Sequence, residues 1–217
     1  MPHIKWVGVI NSEIADYQKG NMDCSAKKMA LPATVQEMMI KALPFAVPPF
    51  TVIFLSIFLK TFFAGEMTIS PIFFVLGLIA GFIGLIAHEW LHAIVYPANA
   101  TVYIGFHLKS FAAVALVSYP LKKWRFILMS LLPLLLGIVP IVVFWFSPIA
   151  WKPWNGFWFG FSIMGLISPY PDYFNVYQAL KQTPPKCYIQ NHGDETFWME
   201  LLNLNLGSIY QLLKSVH

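Results

Sequence analysis

Four stretches of this 217-residue chain are long and apolar enough to cross a bilayer, approximately Ala42 to Ala64, Ser70 to Tyr96, Trp124 to Phe146 and Trp154 to Leu180. A hydrocarbon core of about 30 Å is spanned by about 20 helical residues. No water in that core satisfies exposed N–H and C=O groups, so a spanning segment bonds its own backbone as a helix or joins a closed barrel. The sequence therefore predicts an all-α polytopic membrane protein with four transmembrane helices. Composition agrees: 11% of residues are charged, where a soluble domain carries roughly a quarter.

The placement of basic residues orients the bundle. Lys5, Lys19, Lys27, Lys28 and Lys41 precede the first span, Lys109, Lys122, Lys123 and Arg125 lie between the second and third, and Lys181, Lys186 and Lys214 follow the fourth. The two remaining connections hold only Lys60 and Lys152, near their edges. Both termini and the middle connection are thus expected on the cytosolic side of a cell membrane, by the positive-inside rule. This divides the chain into a cytosolic N-terminal segment (1–41), a four-span core (42–180) and a cytosolic tail (181–217). The net charge of +4 is accounted for by that bias. No basic run interleaved with aromatics suggests nucleic acid, and Cys24 and Cys187 are too few for a disulfide framework.

Three further segments carry local signals. Residues 27–43, "KKMALPATVQEMMIKAL", read as an amphipathic helix on the membrane surface. Thr101 to Phe106 and Phe111 to Ser118 are β-branched and aromatic runs flanking a polar turn, which predicts a short hairpin, cytosolic or re-entrant, between the second and third spans. Its edge could hold a peptide in extended form by strand addition. The tail is expected to form a short amphipathic helix from about Thr196.

The second apolar run contains "IAHEWLHAIV", with His88-Glu89-Trp90-Leu91-His92 in the pattern H-E-x-x-H. Residues four apart share a helix face, so both imidazoles can bind one metal ion while Glu89 reaches a water on that ion. Zinc suits neutral imidazoles with one position open to water. Ionisable groups inside an apolar helix are costly and mark function by default.

A hydrolytic zinc site takes three protein ligands. No Asp or Glu occurs between Glu89 and the end of the third span, and the next acid is Asp172 in "GLISPYPDYFNVYQAL". His88 and Asp172 each lie about 18 residues from the same side of the membrane, about 27 Å down their helices at about 1.5 Å per residue, so the two should come out level. Pro169 and Pro171 should break the helix just before Asp172, which is tolerated where the backbone lines a watery cavity. Asn175, one turn beyond, is placed to orient a ligand or hold a substrate carbonyl. His107, at the hairpin turn, is a weaker ligand candidate.

The combination of "HEWLH", a hairpin-like loop, "SLLPLLLG" and a late "PDYFN" resembles the bacterial family of small integral-membrane zincin peptidases and, more distantly, the site-2 proteases that cut within membranes. The resemblance covers roughly residues 70 to 180, and His88, Glu89, His92 and Asp172 match it one by one. The Leu-Asp-Gly of site-2 proteases is replaced by Pro171-Asp172-Tyr173. What it implies is a zinc-dependent peptidase of the bacterial cytoplasmic membrane, with His88, His92 and Asp172 as ligands and Glu89 as base. Its partners would be membrane-spanning or membrane-proximal peptides and the lipid bilayer. The competing expectation is a non-catalytic metal-binding sensor or adaptor.

Overall fold

The apolar runs form helices, yet the chain also builds two β-sheets, which overturns the expectation of an all-α fold. The computed structural model describes residues 1–10, 14–32, 34–108 and 112–200. Its elements are, in order, β1 (His3–Ile10), β2 (Lys27–Lys28), α1 (Val35–Ala42), α2 (Val47–Ala64), α3 (Pro71–Ile83), α4 (Leu85–Ile94), β3 (Thr101–His107), β4 (Ala112–Leu116), β5 (Leu121–Lys122), α5 (Lys123–Leu131), α6 (Leu135–Phe146), α7 (Lys152–Ile167), α8 (Tyr170–Gln182), β6 (Cys187–His192) and β7 (Glu195–Glu200). They divide into two compact units, one formed by residues 1–38, 93–130 and 175 onward, the other by Met39–His92 and Leu131–Phe174.

The first unit holds both sheets. In one, the order is β1-β3-β4, with β1 parallel to β3 and β4 antiparallel to it. The expected hairpin is therefore present as β3 and β4. In the other sheet the order is β2-β7-β6-β5, antiparallel throughout. Its β6–β7 hairpin turns at Gly193, whose φ of 60° is left-handed, a conformation open to glycine at little steric cost. The helix expected from Thr196 is corrected by this hairpin: residues 195–200 are a strand, and the rest of that segment lies outside the described residues. Of the expected amphipathic helix over 27–43, Lys27 and Lys28 pair with β7 and the helix α1 begins at Val35.

The second unit is helical. Three helical stretches are long and apolar enough to cross a membrane, Gln36–Ala64, Pro71–Ile94 and Lys123–Phe146. The fourth expected span is divided into α7 and α8 by a turn at Ser168 and Pro169, because prolines at 169 and 171 remove two consecutive alternate amide donors.

Helix α7 is the pivot of this unit. A Cβ on Gly77 of α3 would lie 2.1 Å from the Phe157 carbonyl oxygen of α7, and one on Gly160 of α7 would lie 2.2 Å from that of Phe74. On the α6 side, a Cβ on Gly165 would meet the Leu136 carbonyl at 2.4 Å. Bare glycines thus let backbones touch, the usual means of packing helices where apolar burial gives no advantage over lipid. Ile53 of α2, Ile141 and Phe144 of α6, and Phe159 and Leu166 of α7 fill the remaining core.

Candidate metal centre

Helix α3 ends at Ile83, and a single turn at Gly84 leads into α4, where the His88 N–H bonds back to the Gly84 carbonyl at 3.1 Å. His88 and His92 then stand one turn apart on one face, both buried. Their rings meet edge to face with centroids 4.6 Å apart, and their Nε2 atoms are separated by 2.9 Å.

Asp172 arrives from the other end of the same unit. It lies in the first turn of α8, its N–H bonded to the Pro169 carbonyl at 2.9 Å. Its Oδ2 is 3.3 Å from His88 Nε2 and 3.5 Å from His92 Nε2. The three atoms close a triangle, and these residues are the one such group of potential metal ligands among the described residues. Two donors of a tetrahedral zinc, each about 2.0–2.1 Å from the ion, lie about 3.3 Å apart; the observed separations of 2.9, 3.3 and 3.5 Å bracket that value. The residues therefore fit a zinc ion in donor type, number and spacing.

Glu89 is mostly buried, and its Oε1 lies 3.9 Å from His88 Nε2. It thus borders the ligand triangle without being one of its corners. His88 and Asp172, expected to come out level from helix rise, have their ligand atoms 3.3 Å apart. Asn175 lies one turn beyond Asp172 on α8, partly buried. His107 is at the end of β3, buried, and outside the ligand group. Two residues near the break were not singled out by sequence: Ser168, whose hydroxyl donates to the Met164 carbonyl at 2.5 Å, and Tyr173, whose hydroxyl donates to the Leu166 carbonyl at 2.8 Å. The sequence signal at this place was the pair of prolines, which marks where the helix must end.

Two imidazoles one helical turn apart and a carboxylate from a distant helix, with a glutamate beside them, are a group that could hold a metal ion. In agreement, residues 81–188 match the model of a family described as "Putative zincin peptidase", a span that contains all four of these residues. No curated protein matches the chain, and no solved structure does.

Proposed function

We propose that the chain is a zinc-dependent membrane peptidase in which His88, His92 and Asp172 hold the ion and Glu89 moves the proton. The observation that carries this reading is the convergence of three ligand atoms, from α4 and α8, within 3.5 Å of one another. Zinc bound there would polarise a water and the scissile carbonyl. Glu89, next to His88 in sequence and 3.9 Å from its Nε2, takes a proton from the attacking water and delivers it to the leaving amine. Asn175 is the residue we assign to orient a ligand or receive the substrate carbonyl.

The apolar setting favours membrane-spanning or membrane-proximal peptides as substrates, since a site on helices of this composition is poorly reached by folded soluble chains. Basic residues flanking the apolar stretches favour a cytoplasmic-membrane protein, and with α7 as a fourth crossing beside the three longer ones both termini fall on the cytosolic side.

Elemental analysis of the detergent-purified protein tests the site. Near one zinc per chain is expected, lost in Asp172→Ala and kept in Glu89→Gln, with peptide cleavage abolished in both. Absence of zinc from a folded, zinc-reconstituted preparation would overturn the proposal. Full physiological activity of Glu89→Gln would replace it with a metal-sensing role.

A further inference from the structure

The last four carbonyls of a helix have no partner within it, and for α7 these are the carbonyls of residues 164–167. A continuous chain would serve them from residues 168–171, but Pro169 and Pro171, which have no N–H, end the helix there and leave the carbonyls of residues 165 and 167 without those donors. The alternate Met164 and Leu166 carbonyls are served by side chains. Ser168 doubles its own N–H, so that the Met164 carbonyl receives both at 3.2 and 2.5 Å. Tyr173 reaches back seven residues across the break to the Leu166 carbonyl.

Tyr173 is tied twice, because its N–H also donates to the Pro169 carbonyl at 3.2 Å. That carbonyl is shared with the N–H of Asp172 at 2.9 Å. The residue bearing the carboxylate is therefore fixed by a small frame: the Pro169 carbonyl on its own amide, and the Tyr173 hydroxyl pinning the next residue to the end of α7. Leu166 is buried and closely packed, so that a Cβ on Gly137 of α6 would come within 2.5 Å of its Cγ. The frame is anchored where α6 and α7 pack closely.

We propose that Tyr173 is a positioning residue for the metal centre, setting the aim of the Asp172 carboxylate through its bond to the Leu166 carbonyl. The proposal rests on the metal-site reading above. Its hydroxyl is engaged with backbone and aims α8, whereas a tyrosine serving the substrate would hold its hydroxyl free for the scissile carbonyl. Partners that orient a ligand typically account for about 10–100-fold in metal affinity, and Tyr173 should act in that range.

The test is the zinc dissociation constant, measured by competition with a chromophoric chelator on the full chain in detergent. Tyr173→Phe should weaken zinc about tenfold or more and shift the visible spectrum of the cobalt-loaded protein, whose bands report ligand geometry. Ser168→Ala, which removes the neighbouring cap that does not adjoin a ligand, should leave both unchanged. If Tyr173→Phe does not fold, Tyr173→Gln and Tyr173→Met replace it. They have similar shape but only Gln can donate, so Gln should bind zinc more tightly than Met. Unchanged zinc affinity and cobalt spectrum in Tyr173→Phe, whether with lowered melting temperature or with lost turnover, would overturn the proposal. No zinc binding by the unaltered chain would instead remove the metal centre itself.

Discussion

The helical unit buries two polar clusters, and they are built in opposite ways. Around Lys60 of α2, one ammonium faces three acceptors: the carbonyls of Phe144 and of Ser147, the latter at 2.9 Å, and Asn155 Oδ1 at 3.1 Å. All three of its N–H groups are used, the Phe144 ring lies against it 4.4 Å away, and the cation sits at the C-terminus of α6, where the helix dipole favours positive charge. Around His88, His92 and Asp172 the arrangement differs: three potential metal-ligand atoms face one another within 3.5 Å, and no lysine or arginine is among them. A cluster complete in itself serves structure. A cluster of facing potential ligand atoms is, on the proposed reading, completed by a cation.

Removal of one member from each cluster should separate these roles, and the largest effect is expected at the metal centre. His92→Ala should weaken zinc by more than about a hundredfold, beyond the loss of an outer partner. The melting temperature of the zinc-free protein should fall much less than that of the zinc-loaded protein. Competition binding and a thermal scan of the chelated protein check the two halves. A large fall in zinc-free stability would mean that the cluster is hydrogen-bonded glue.

Zinc itself should stabilise only one of the two. At a free concentration of about one hundred times its dissociation constant, a ligand of the native state adds about 2.7 kcal/mol. A chelator-reversible rise in melting temperature should therefore appear in the unaltered chain and in Lys60→Met, and should vanish in His92→Ala. Lys60→Met should in turn lower stability by about 2 kcal/mol, the cost of stranding buried acceptors, with zinc stoichiometry unchanged. Loss of zinc in that variant would show that the clusters are coupled through α7, which carries Asn155.

The two clusters also differ in how far the sequence discloses them. His88 and His92 are legible because their contact is local, four residues apart on a helix, and Asp172 is legible because helix rise makes depth countable. The acceptors of Lys60 are mostly carbonyls, which every residue has, so nothing in the sequence marks them. The same distinction separates the elements. The β3–β4 hairpin is local and was readable, whereas β1 pairs with a strand about a hundred residues later, Ile4 opposite Val102, and its run "HIKWVGVI" gives no hint of that partner. The β6–β7 hairpin did carry a signal in Gly193-Asp194, a turn pair that favours two-residue hairpins. Reading the tail for helical periodicity obscured it.

The smallest effect expected is at Ser56, and it bears on how the Lys60 cluster works. Ser56 lies one turn before Lys60 on α2, buried, and its hydroxyl accepts the Trp145 indole N–H at 3.0 Å. Both residues tie α2 to α6, one through a neutral bond and one through a cation. Interhelical hydrogen bonds in membrane proteins average about 0.6 kcal/mol, and Trp145 is 40% exposed, so its N–H can find another partner when the hydroxyl is removed. Ser56→Ala should therefore cost about 0.6 kcal/mol, well below Lys60→Met, as measured by denaturant unfolding in a common detergent. Equal losses would mean that α2 is held by its shared buried face, Ile53, Ser56 and Lys60, and that the charge on Lys60 adds little to what its neutral neighbour already provides.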